Sequence, residues 1–293
     1  MNGKCALCKE ASNLKISHYI PSFIGKWFKK TSITGYIRTN TNVSLRKQDL
    51  YKEYLLCANC EEIFSKWETQ FAERVFYPYI NDRKIVINYE SWLSKFCASL
   101  SWRTLIYIIR NNDLSKYDAE YNESLNKAKN TLEEFILDKS KILYSYEQHL
   151  YPLDEISSTT LKNLPTNINR YLIRSMGMDV ISNKDSILIY TKIPYFILIG
   201  LVKSNETSMM NSSRIKLKKG TLSPRRYNMP KGIDKYIIEQ VKKISELDAQ
   251  IPIHQQKDIE MFLYDNPERA AKSNTIEAFE ADLRMFGNKA FKK

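Results

Sequence analysis

Glycine is scarce, with 8 in a chain of 293 residues. No GxGxxG or Walker-type run is present, which disfavours the nucleotide-binding folds that need a glycine-rich phosphate loop. Long apolar runs are missing too. The longest, Ile193 to Val202, is about half the roughly 20 residues that span a bilayer, and it contains Pro194 and Gly200. The opening residues Met1-Asn2-Gly3-Lys4-Cys5 lack the apolar stretch of a signal peptide. No repeat or low-complexity tract is visible. These absences predict a soluble, cytoplasmic protein with no membrane partner. Histidine is as rare, with only His18, His149 and His254, so imidazole chemistry has few places to sit.

What is abundant is positive charge. Lys plus Arg total 45 against 33 Asp plus Glu, a net charge of +12. Such a surface attracts polyanions, and nucleic acid is the commonest polyanion inside a cell. A solvated basic surface with no ligand is the plain alternative. Hydrophobic residues make up 43% and charged residues 27%, enough for a packed core and against global disorder. The length fits one large domain or two ordinary ones.

Five cysteines narrow the reading. Four form the pairs Cys5-x-x-Cys8 and Cys57-x-x-Cys60, and Cys97 stands alone. Each CxxC turn aims two thiolates at one ion, and two turns complete a tetrahedral zinc site. A disulfide framework fits poorly with a reducing compartment and an odd thiol count. Cys97 sits among Trp92, Leu93, Phe96 and Leu100 at helical spacing, which marks a buried structural thiol.

His18 follows the first pair in Ile16-Ser17-His18-Tyr19-Ile20-Pro21. The second pair follows Leu55-Leu56 and opens into a stretch with apolar residues at 63, 64, 67, 71 and 75, a helical spacing. The order knuckle, strand with His18, insertion, strand, knuckle, helix describes a treble-clef zinc finger. Residues 1 to about 75 thereby resemble the zinc-containing HNH endonucleases. The run Ser17 to Pro21, Leu55 to Glu61, and Trp67-Glu68 also resembles a group of bacterial HNH-like proteins. The resemblance implies a ββα-metal core with Cys5, Cys8, Cys57 and Cys60 on structural Zn²⁺. It implies His18 as general base on a water, and a divalent ion, Mg²⁺ or Mn²⁺, at the scissile phosphate. The activity implied is phosphodiester hydrolysis, with DNA as the expected substrate.

Two positions depart from the family pattern. Ser17 stands where the family carries an acid before the histidine, and Glu61 where it carries Asn or His after the last cysteine. A hydroxyl is a poor Mg²⁺ ligand. Glu61, Ser65 and Glu68 recur at i, i+4 and i+7 on one helix face, so Glu61 or Glu68 is the candidate replacement. Against this, Glu61 can simply complement the helix dipole and Glu68 can be a solvated face residue. His18 can likewise be a support of the fold rather than a base.

Two basic surfaces are candidate nucleic-acid contacts. The first interleaves Lys26, Lys29, Lys30 and Arg38 with Trp27 and Phe28. In the second, between Lys203 and Lys235, nine basic residues outnumber two acids. Its candidates are Lys216, Lys218, Lys219, Arg225 and Arg226, with Arg214, Lys216 and Lys218 alternating as on one strand face. A basic edge that blocks aggregation is the alternative for the second surface.

The fold class expected is α+β. A treble-clef module covers 1–80, a helical region 81–151, and an α+β region 152–293 with a small antiparallel sheet. Helices are expected over about 89–110, over one or two segments from Leu114 to about Tyr146, and from Gly232 onward. Strands are expected at Ser186–Tyr190 and Tyr195–Ile199, with a hairpin around Lys218-Lys219-Gly220. The rival to the nuclease is a non-catalytic zinc-finger binding module, or a subunit of a larger bacterial assembly. In that case a protein partner or a second copy would meet the helical middle.

Overall fold

A computed structural model describes residues 1–39, 42–82, 86–161, 163–205, 207–223 and 227–291. The first hairpin, β1 (Asn2–Lys4) with β2 (Ala11–Asn13), brackets the first cysteine pair. Its turn closes where Lys9 takes a left-handed φ of 69° and its N–H donates to the Cys5 carbonyl. β3 (Lys15–His18) then runs through Pro21 into α1 (Ser22–Lys30). Helix α1 buries Ile24, Gly25 and Trp27 and exposes Lys26 and Lys30. Gly25 is required by a close approach, because a Cβ there would stand 2.8 Å from the Leu50 side chain.

The insertion between the cysteine pairs is a second hairpin, β4 (Ile37–Thr39) with β5 (Asn42–Lys47). β6 (Lys52–Leu56) returns to pair antiparallel with β3 and delivers Cys57 and Cys60 to the start of α2 (Ala58–Phe71). One π-turn, Ala72–Phe76, carries α2 into α3 (Tyr77–Asn81). β7 (Ile87–Glu90) leads to α4 (Ser91–Asn111), the spine of the molecule.

Helix α4 is buried along most of its length, as its dense apolar sequence demands. The α2 side chains Phe64 and Phe71 pack on Trp102 and Phe96 of α4, the last pair stacked at 4.1 Å. α5 (Ala119–Ile136) packs beside α4, its first turn capped by Asp118 accepting from the Tyr121 N–H at 2.7 Å. The amphipathic stretch expected to reach Tyr146 ends here, because Asp138 adopts φ 59° and turns the chain out of the helix.

β8 (Gln148–Pro152), α6 (Ile168–Arg174), β9 (Gly177–Ser182), β10 (Ser186–Ile193) and β11 (Phe196–Ser204) follow. They build an antiparallel sheet in the order β8-β11-β10-β9. Along β10, Ile187 and Ile189 join the core that holds Trp102 of α4, while Leu188 and Tyr190 face the opposite cluster with Ile233. Both faces of the central strands β10 and β11 are covered, so these two carry dense apolar runs. Gly200 lets α4 lie close, since a Cβ there would meet Ser101 Oγ at 2.7 Å.

β12 (Lys219–Leu222) pairs with β7, not with a neighbouring hairpin strand as expected. The segment Arg214–Lys218 is irregular apart from one bridge between His149 and Arg214, so the three cations do not lie on a strand. They are nevertheless exposed, with Ile215 buried between them. The chain ends in α7 (Ile233–Ala249), α8 (Ile253–Asp265), α9 (Pro267–Ala271) and α10 (Asn274–Phe286). The division expected at 151/152 falls inside β8, and the cores join residues from both sides of it.

Candidate metal centre and the His18 surface

The two CxxC turns meet. The Sγ atoms of Cys5, Cys8, Cys57 and Cys60 all lie within 4.8 Å of one another. A tetrahedral ion with Zn–S bonds of about 2.3 Å needs sulfurs about 3.8 Å apart. Cys8 and Cys57 stand at 3.8 Å. All five cysteines are free thiols, so no disulfide competes. Burial alone would raise the Cys5 thiol, but the backbone N–H groups of Cys57, Cys8 and Leu7 hold it down at about 7. Burial pushes Cys60 up, and the side-chain sulfurs of Cys57, Cys5 and Cys8 add to the shift. Four thiols this close cannot all ionise without a cation among them, and the donor set is the soft sulfur set that suits zinc. Cys97 is apart, fully buried on α4, and burial raises its thiol.

Strand β3 follows β2, the strand after the first cysteine pair, and presents Ser17 and His18 in succession. Ser17 is buried and donates through Oγ to Glu61 Oε2 at 2.5 Å. His18 is half-buried, with Nε2 3.2 Å from Asp49 Oδ1. Its Nδ1 has no hydrogen-bond partner among the described residues. Asp49 was missed in the sequence. Burial opposes its charge, but Lys52, the Leu50 N–H and His18 together hold its carboxyl at about 2, so it is ionised throughout the neutral range.

Glu68 has a different fate. Its Oε1 accepts from Arg103 Nη1 of α4 at 2.5 Å, and the same Nη1 donates to the His18 carbonyl at 3.2 Å. Arg103 is 2% exposed and lies over the Phe64 ring. Glu68 is therefore neither a solvated face residue nor a free ligand. Burial raises its carboxyl, and Arg103 opposes that shift. Glu61 and His18 both lie near enough to act on it electrostatically. Among the described residues, the four cysteines are the one group of three or more His, Cys, Asp or Glu placed to share a metal. His18, Asp49 and Glu61 thus do not preassemble a second such group.

The expected nucleic-acid contacts divide. Lys26 and Lys30 are exposed on α1, whereas Lys29 donates to the Gln48 carbonyl. Arg38 is held by Gln255 Oε1 of α8 at 2.7 Å, and Arg46 by Asp258 at 2.8 Å, so α8 straps the second hairpin. Lys216, Lys218 and Lys219 are exposed. Arg225 and Arg226 lie outside the described residues. No helix among the described residues is long and apolar enough to cross a membrane.

No protein-family model, curated protein or solved structure matches the chain.

Proposed function

We propose that the chain is a zinc-stabilised, HNH-like protein acting on nucleic acid, with DNA as substrate and phosphodiester hydrolysis as the reaction. One observation carries the reading. The lone N-terminal histidine is partly buried at the end of β3, with one ring nitrogen on an ionised carboxylate and the other without a hydrogen-bond partner among the described residues. An imidazole so placed can take a proton from water at its free nitrogen while Asp49 fixes the ring and balances the charge that forms. The sequence of knuckle, paired strands β3 and β6, knuckle and α2 supports a treble-clef description of the same region.

Zn²⁺ on the four cysteines is structural here. It would tie the β1–β2 hairpin to the start of α2, while the pairing of β3 with β6 places Ser17 and His18 beside Glu61. A divalent Mg²⁺ or Mn²⁺ would use Glu61, whose carboxylate lies beside Ser17, and would take its other oxygens from substrate phosphate and water, as Mg²⁺ commonly does. Such an ion supplies charge stabilisation at the phosphate. Glu68 is withdrawn from that role by Arg103. The exposed Lys26, Lys30, Lys216, Lys218 and Lys219 supply positive charge for backbone phosphates.

A second reading is favoured by the Arg103–Glu68 pair and by the lack of a preassembled second metal group. In it the same scaffold binds nucleic acid without cleaving it. Incubating the purified protein with supercoiled plasmid, with Mg²⁺, Mn²⁺ or EDTA, separates the two. Metal-dependent nicking supports the nuclease, and binding without nicking supports the scaffold.

A further inference from the structure

A cavity of about 340 Å³ lies between the C-terminal end of α1 and the α9–α10 turn. Lys30, Arg269 and Lys272 line it together with Glu268, Ser32 and Ser273. Three cations thus face one carboxylate. Among the described residues none of the three cations has an ion-pair partner, although Arg269 rests over the Phe262 ring. Like charges gathered on one concavity repel unless an anion joins them.

The walls are fixed before any ligand arrives. The Asn274 N–H donates to the Thr31 carbonyl at 3.0 Å, joining the two sides directly. Behind them, Arg174 Nη1 donates to Thr31 Oγ1 at 2.9 Å and to Asn274 Oδ1 at 3.1 Å, and Nη2 donates to the Phe28 carbonyl at 2.7 Å. Its hydrogen-bond partners are neutral, and Glu277, which accepts from Asn274 Nδ2 at 2.9 Å, lies near enough to balance part of its charge. Burial lowers Arg174 to about 10, which still leaves it cationic at neutral pH.

We propose that this cavity is a phosphate site that takes one phosphodiester of a nucleic-acid strand, held by Lys30, Arg269 and Lys272. The choice of a strand over a free phosphate rests on the nucleic-acid reading above and on placement. Helix α1 begins four residues after His18 and ends at Lys30. Its nine residues span about 13 Å, which about four nucleotides of a B-form strand cover. Lys26, exposed one turn before Lys30, lies on the same side of α1. A strand lying along that side would meet Lys26 and then the cavity.

The test is fluorescence anisotropy with a labelled duplex, titrated across a series of NaCl concentrations. It compares wild type, Lys30→Gln/Lys272→Gln, and the triple variant with Arg269→Gln. The double variant spares the Arg269–Phe262 contact and guards against misfolding, checked by circular dichroism. Loss of one phosphate contact should lower the slope of log Kobs against log[NaCl] by about 1. A wild type that binds with a slope the variants leave unchanged overturns the site while the nucleic-acid reading stands. A wild type that binds no DNA overturns both. In that case thermal stabilisation by inorganic phosphate, at matched ionic strength and lost in the variants, would reassign the cavity to a free phosphorylated ligand.

Discussion

Replacing Arg103 with methionine should strand the Glu68 carboxylate. The pair is enclosed: Arg103 is 2% exposed, and its Nη1 lies 2.5 Å from Glu68 Oε1. Removing one partner of a buried pair typically costs about 3–5 kcal/mol, because the other charge stays desolvated without compensation. The bond to the His18 carbonyl and the contact with the Phe64 ring are lost in the same step. Against a domain stability of about 5–15 kcal/mol, that is a large fraction. Urea denaturation should show a lower midpoint with little change in m. The double variant Arg103→Met/Glu68→Leu should recover most of the loss, since no unpaired charge remains and apolar replacements of buried pairs are often near neutral. Its response to Mg²⁺ or Mn²⁺ should match wild type, because Glu68 is not available to an ion. A single variant within about 1 kcal/mol of wild type, or a double no better than the single, would refute the buried-pair account.

Elemental analysis of freshly purified protein should find one zinc per chain, and Cys57→Ser should lose it and precipitate or unfold the N-terminal segment, since metal binding of this kind is folding energy. His149 predicts an acid limb. Its ring is fully buried, with Nδ1 3.1 Å from Ser213 Oγ; burial, helped by Arg214, lowers it from 6.5 to about 4 even with Glu147 Oε2 3.5 Å from Nε2. Between those values the unfolded chain holds a proton that the folded chain does not, so stability should fall as pH drops through that window, by roughly 3 kcal/mol in all. Denaturation midpoints for His149→Gln should be flatter over the same range, and an equally steep limb would contradict the assignment. Asp49→Asn should lower the cleavage rate at saturating DNA while leaving zinc content and DNA affinity unchanged, with partial recovery in Asp49→Glu. A parallel loss of affinity would mean Asp49 only supports the fold.

The clustering of the four cysteines was legible in the sequence, because CxxC spacing constrains geometry locally and two such turns suit one ion. Helix α4 and strands β10 and β11 were legible for a similar reason, as their apolar runs are dense and bounded. The surroundings of His18 were not. Asp49 arrives from the loop before β6, and its approach depends on the β3–β6 register, which no local pattern states. Arg103 did leave a signal, a single cation on the apolar stretch Leu100 to Ile109, which had to find a buried partner. The irregular course of Arg214–Lys218 and the pairing of β12 with β7 were hidden because alternation alone cannot name a partner strand.

Cleavage of supercoiled plasmid by wild type and His18→Ala, in preparations matched for zinc content and DNA affinity, tests the central claim most directly. The account predicts metal-dependent nicking by wild type and a loss of about 10²-fold or more in the variant, the scale of general acid–base catalysis. Equal nicking by both proteins, or none by wild type with either Mg²⁺ or Mn²⁺ while zinc and DNA binding are intact, would contradict it.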